Sequence, residues 1–361
     1  MLLLDPDPPY LRWWLSDAGG VPAPTEGHCL AGADWAERVA AAIAQPAALK
    51  CVGYVLHNGG EIITDPVSRL TPEGLDWVRQ TVKLLPEHND ITCRVAEEWL
   101  TRRPDVPHVL LCDTAFFCSL PPEASLYAIP YELRRHGIKR YGGYGLCHQW
   151  VWRQAVRLQN GRAARIVSVC LGDHTNVAAI RDGLPLDTTI GFSQVEGILS
   201  ATTCGDIDPT VVFQMQSAGM PLEQIRSLLS DKSGFTGLLG RRAGLMEVLN
   251  AASDPQARLA KEMLRYGILR HVGACIAVLG GVDAVVFATP HPDACMTFIA
   301  EMCRALACAG VQLRSDPIEQ EGACELAEAA SVVKAFCLAY DEWTVCADHV
   351  STFLTARGNP Q

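Results

Sequence analysis

The sequence has no surplus of basic residues. Its 30 Lys and Arg stand against 40 Asp and Glu, for a formal net charge of -10. A nucleic-acid partner needs a basic face from which phosphate counterions are released, and this balance offers none, so nucleic acid is not an expected partner. Long apolar runs are missing as well. The best candidate, Val272 to Phe287, is interrupted by Gly280, Gly281 and Asp283, whereas a membrane helix needs about 20 mostly apolar residues; no membrane span is expected. No secretory signal pattern opens the chain, and no Ser/Gly linker or low-complexity tract divides it.

What is present is a large apolar fraction: 361 residues, 49% of them hydrophobic, can bury a sizeable core. At about 100 to 200 residues per domain, two domains are expected. Fifteen cysteines are scattered along the chain. Disulfide-dense proteins are typically small and secreted, so these read as reduced thiols of a cytoplasmic protein. Cys147, His148, Cys170, Asp173, His174 and Cys204 match no compact zinc-binding spacing, and buried small thiols are the favoured reading.

The pattern alternates strands with helices. Arg165 to Leu171 and Val177 to Ile180 read as strands, and Asp182-Gly183 suits the tight turn of a hairpin because Gly accepts positive φ. Asp254 as N-cap and Pro255 at the first helical position open a helix whose Leu259, Met263 and Tyr266 are expected to face the core. Ala284 to Ala288 is too apolar for a half-exposed strand and fits one covered on both faces. Asp208 before Pro209 reads as another N-cap. Val109 to Asp113 and Val333 to Leu338 read as strands, Leu120-Pro121-Pro122 as the best candidate boundary, and a last helix is expected from about Asp341.

Specific words along the chain then point to a family. Cys112 to Phe117 (CDTAFF) followed by Leu126 to Leu133 (LYAIPYEL) resembles the acetate kinase segment FDTAFH followed by LYALPYEL. Arg140 to Gly142 with His148 is similar to RYGFHGTSH, Asp187 to Phe192 to DTSMGF, and Glu196-Gly197 to PLEG. Gly205 to Pro209 reproduces GDIDP, and Gly280 to Ala284 resembles GGVDA. These words run co-linearly from Cys51 to about Leu313, while the first 50 residues align weakly. The resemblance implies an α/β chain with the two-domain acetate and sugar kinase/Hsp70/actin-like fold and a central cleft. It assigns residues 1–115 with 340–361 to an N-terminal domain and 116–339 to a C-terminal one. It also implies Mg-ATP as cofactor, a small carboxylate or acyl phosphate as ligand, and a homodimer. By position, Asp113 is the catalytic aspartate, Asn58 and His148 contact substrate, and Asp341 with Glu342 lies at the magnesium.

Several of the family's polar positions carry other residues here. The phosphate loop NAGSSSLK corresponds to Asp5-Pro6-Asp7-Pro8-Pro9-Tyr10-Leu11-Arg12, where three prolines remove three N–H donors and two aspartates are expected to add negative charge. The two arginines fall on Val55 and Thr203, and the transition-state histidine on Tyr144. The loop HLGNGAS becomes Cys170 to Asn176, GGIGEN becomes Thr289 to Ala294, and the Asp and Arg of SSDMRD become Gly244 and Met246. Three functions remain open at this point: a diverged carboxylate kinase with relocated cations such as Arg12, Arg241 or Arg242, a pseudokinase that binds a metabolite or protein partner, and a rebuilt enzyme. Asp113, His148, Asp341 and Glu342 each also admit a purely structural role, as turn cap, core imidazole and helix-opening carboxylates.

Overall fold

A computed structural model describes residues 1–7, 10–15, 25–30, 35, 38–39, 49–251, 253–320 and 322–357. They group into two compact units. Met1–Cys118, Gly143–Leu146 and Glu342–Gln361 form the first, and Ser119–Gly142 with Cys147–Asp341 the second. No helix among the described residues is long and apolar enough to cross a membrane.

The first unit is built on six strands: β1 (Leu2–Asp7), β2 (Tyr10–Leu15), β3 (Thr25–Leu30), β4 (Val52–Leu56), β5 (Val67–Arg69) and β6 (His108–Cys112), in the order β3-β2-β1-β4-β6-β5. β1, β4 and β6 are parallel neighbours, and β2, β3 and β5 join antiparallel. Strand alternation sorts the side chains onto two faces. Leu2, Leu4, Tyr54, Leu56 and Leu110 share one core with Val95, Ala96 and Trp99 of the helix Pro86–Arg102. The other face carries Leu3, Gly53 and Leu111 under Val350 of the last helix, Glu342–Arg357. A Cβ on Gly53 would lie 2.6 Å from Leu3 Cδ2, so a larger residue there would have to displace the end of that leucine side chain. β4 and β6 are buried along their whole length, as expected of strands covered on both sides.

The second unit holds β7 (Arg165–Cys170), β8 (Asn176–Arg181), β9 (Leu184–Thr188), β10 (Ala284–Thr289), β11 (Leu313–Gln320), β12 (Ala323–Ala327) and β13 (Lys334–Ala339). Their order is β11-β12-β13-β10-β7-β8-β9, with β13, β10 and β7 parallel at the centre. The Ala284 to Ala288 segment is this central strand and is fully buried, as its composition requires. Asp182 and Gly183, at φ 51° and 81°, make the turn between β8 and β9. The Asp208 and Asp254 carboxylates accept from Thr210 N and Gln256 N and cap the helices Pro209–Ser217 and Pro255–Leu279.

One sequence expectation is corrected. Leu259, Met263 and Tyr266 do not face the core; they are 48%, 42% and 68% exposed. The helix Pro255–Leu279 has a second apolar stripe, Ala260, Leu264, Ile268, Val272 and Cys275, and this one joins the core with Val177 and Ala179 of β8, Val167 of β7 and the helix Pro292–Ala305. The buried stripe begins with small alanines, which let the helix lie close to the sheet. Bulky Tyr266 would hold it away.

Ile268→Ala is therefore expected to cost about 2–5 kcal/mol by cavity formation, and Tyr266→Ala to change stability by no more than about 0.5 kcal/mol. Urea denaturation of the two variants tests the assignment of faces; the reverse order of effects would contradict it.

Candidate functional site

In the first unit the candidate site begins at the β1–β2 hairpin. Its register pairs Asp5 with Arg12, Pro6 with Leu11 and Asp7 with Tyr10; Pro8 and Pro9 lie outside the described residues. The cross-strand pairing brings opposite charges together. Arg12 Nη2 donates to the Asp5 carboxylate and, at 2.7 Å, to Glu342 Oε2, while its guanidinium lies 5.5 Å from the ring centre of Trp343. His57 Nε2 is 2.9 Å from Asp5 Oδ1 and 3.2 Å from the Pro6 carbonyl; both are acceptors, so Nε2 carries the proton. His88 meets the His57 ring edge-on at 4.9 Å between centres.

The charges in this network fix one another. Burial alone would raise the Asp5 pKa, but His57 and Arg12 hold it below its ordinary 3.8. Burial likewise opposes protonation of His57, yet Asp5, with smaller help from Asp113 and Glu342, lifts it to about 9. His88 moves the other way, to about 4, through burial and the neighbouring His57 cation. Asp5 is thus not the bare negative charge expected from the sequence. It is neutralised in place because a buried carboxylate with no partner would be too costly.

Asp113 follows directly after β6. Its Oδ2 accepts from Tyr144 N at 2.6 Å and its Oδ1 from Leu146 N at 3.2 Å, so it caps the helix Gly145–Leu158. The chain passes very close here: a Cβ on Gly145 would stand 2.2 Å from the Asp113 carbonyl oxygen. Tyr144 holds φ 59°, a left-handed conformation uncommon outside glycine. Asn58 Oδ1 accepts from Gly60 N at 3.0 Å and closes the local turn, while its carbonyl accepts from Asn89 Nδ2 at 2.7 Å. Glu342 opens the last helix with its carboxylate on Arg12; Asp341 is the exposed last residue of the second unit.

In the second unit, the segment Cys170 to Asn176 uses its polar groups internally. Asp173 Oδ1 accepts from Leu245 N at 2.7 Å, Thr175 Oγ1 donates to the Gly172 carbonyl, and Asn176 Oδ1 accepts from Thr188 and Thr189. A Cβ on Gly244 would come within 2.8 Å of that same Asp173 oxygen, so the missing side chain at Gly244 and the carboxylate at Asp173 fit each other. Thr203 is buried with its hydroxyl 2.6 Å from Ser200 Oγ. His148 is fully buried, Nδ1 2.8 Å from Ser168 Oγ. His291 is followed by Pro292 at the start of the helix Pro292–Ala305. Of the arginines considered as substitute cations, Arg12 is held in the network, Arg241 pairs with Glu247, and Arg242 is exposed.

Two features bear on how these residues would meet a nucleotide phosphate tail with its magnesium. Pro6, Pro8 and Pro9 have no N–H to offer, and Glu342 would have to leave Arg12 to serve a metal that demands near-octahedral oxygen ligation. Among the described residues no group of three His, Cys, Asp or Glu side chains is arranged to hold a metal ion. The roles of His57 and His88 were missed from sequence. The Asp5–Arg12 pair was missed as well, because the segment was read as an altered phosphate loop and not as two paired strands. Nothing local signalled that His57 and Glu342 would join them.

Comparison with known proteins places the chain in a defined neighbourhood. The model of the Acetokinase family matches residues 33–348. An acetate kinase of Syntrophobacter fumaroxidans is 32% identical over 349 residues, covering 92% of this chain and 84% of its own; one of Clostridium kluyveri is 31% identical over 307 residues, covering 83% and 76%. The crystal structure of Porphyromonas gingivalis acetate kinase superposes with a TM-score of 0.86 at 25% identity, covering 98% of this chain and 99% of the other.

The network makes a prediction about pH. His57, raised from 6.5 to about 9, contributes stability that is complete below pH 6.5 and lost as pH rises through 9. His88, lowered from 6.5 to about 4, contributes stability that is complete above 6.5 and lost as pH falls through 4. Stability from this pair therefore peaks near pH 6.5, with an alkaline limb of no more than about 3 kcal/mol. Denaturant midpoints across this range should show His57→Gln flattening the alkaline limb. His88→Gln should shrink the acid limb, which His108, also lowered by burial, shares.

Proposed function

Because the chain belongs to the acetokinase family, we propose that it is an acetate kinase-like protein that keeps the family's α/β scaffold but has given up ordinary Mg-ATP-dependent phosphorylation of acetate, serving as a binding protein for a small carboxylate, an acyl phosphate or a protein partner. The observation that carries this reading is the Asp5–Arg12–His57–Glu342 network. Phosphoryl transfer is catalysed almost entirely by positioning and by cations directed at the transferred group. Here the two cations at the hairpin are each committed to a carboxylate.

The other substitutions support it. Val55 and Thr203, where the resemblance places arginines, are buried. Loss of one transition-state donor typically costs about 2.7 to 4 kcal/mol, 100- to 1000-fold in rate, and three such groups are replaced if Tyr144 is counted. Asp113 and His148, which the resemblance retains, have structural work in capping a helix and pairing with Ser168. We further propose a cytoplasmic homodimer, as the resemblance implies. The second reading, an active kinase with a carboxyl acceptor, would rest on Asp113 as catalytic aspartate and on magnesium at Asp341 and Glu342. It is favoured by the length over which the acetate kinases match.

Calorimetric titration with Mg-ATP, beside a coupled assay over short-chain carboxylates, separates the two. We expect no micromolar Mg-ATP affinity and no acetyl phosphate formation at a rate typical of acetate kinases; either would establish the second reading. Restoring the two arginines together should fail too. Val55→Arg with Thr203→Arg restores charge but supplies no N–H donors through Pro6, Pro8 and Pro9, so acetyl phosphate formation should stay at background. Recovery in that double variant alone would show that the hairpin is not the limiting defect.

A further inference from the structure

We propose that Cys147 and Cys170 are a covalent modification site, a thiol pair that hydrogen peroxide closes into a disulfide. Cys147 lies in the first turn of the helix Gly145–Leu158 and Cys170 ends β7, and their Sγ atoms stand 3.0 Å apart. That is about 1 Å longer than a disulfide bond, a gap that small side-chain rotations close without moving helix or strand. The same distance argues against a metal. Two thiolates on one tetrahedral zinc, each about 2.3 Å from it, lie roughly 3.8 Å apart. Cys170 Sγ is also 3.7 Å from His148 Nδ1, a polar neighbour for the ionised thiol.

Both residues are buried, which selects the oxidant. A small uncharged peroxide can reach them, whereas a bulky disulfide such as oxidised glutathione cannot. In the step, the Cys170 thiolate attacks a peroxide oxygen, the O–O bond breaks, and the hydroxide released takes up the thiol proton to leave as water. The Cys147 sulfur then attacks the resulting sulfenic acid, the S–O bond breaks, and a second water carries away the Cys147 proton. Two thiols lose two electrons and one peroxide becomes two waters. The bond pins the helix Gly145–Leu158 to β7.

The test treats the full-length reduced protein with hydrogen peroxide, then quenches, denatures and alkylates it for mass spectrometry. Expected are a loss of 2 Da, two fewer alkylated thiols of the fifteen, and a Cys147–Cys170 linked peptide that dithiothreitol releases. The thermal midpoint should rise by roughly 5 °C, and not in Cys170→Ala. Exposed Cys118 and Cys308 are internal controls. The proposal is overturned if they oxidise while Cys147 and Cys170 stay alkylated as thiols, or if either member of the pair is recovered as sulfinic acid or linked elsewhere. Peptide mapping of the wild type decides this even if the variant fails to fold.

Discussion

A carboxylate buried at the end of a central strand has to be neutralised where it stands, and much of the first unit is arranged around that requirement. Asp5 sits on β1 between a strand that supplies Arg12 and a strand whose end leads to His57. Arg12 in turn gathers Glu342 and lies against Trp343, so the first hairpin and the last helix share one ionic contact. Removing a single partner would leave a buried charge unbalanced, which is why the members of such a network change together or not at all. The hairpin that opens the chain has thereby become a structural joint.

The same logic appears in the second unit without any ion pair. Asp173 fills the space that a side chain at Gly244 would need and accepts the Leu245 N–H. The two positions are complementary, the carboxylate of one standing where a side chain on the other would be. In both units carboxylates at the candidate site, Asp5 and Asp173, are held by groups of the chain itself.

Elements governed by neighbours in sequence were legible. The Asp182-Gly183 turn, the Asp254 and Asp208 caps and the buried strand Ala284–Thr289 follow from short-range rules about φ, orphan N–H groups and burial. The inward face of the helix Pro255–Leu279 was misread because the helix carries two apolar stripes, and only packing over β8 decides between them. At the candidate site, the sequence showed uncharged residues at Val55 and Thr203, and both are buried. It could not reveal that Arg12 was already bound, because its partner Glu342 stands at the far end of the sequence.

That distance has a bearing on biosynthesis. Val350 covers the face of the first sheet that carries Leu3, Gly53 and Leu111, and Glu342 completes the charge balance of Asp5, yet both leave the ribosome only after the whole second unit has been made. The second unit is a continuous stretch apart from the short excursion at Gly143–Leu146 and can condense as it emerges. The first unit must wait, with one apolar sheet face uncovered, for a closure spanning nearly the entire polypeptide. During that interval its β1–β4–β6 surface is the part of the nascent protein most in need of a chaperone, and a truncation that removed only the last helix would leave it so permanently.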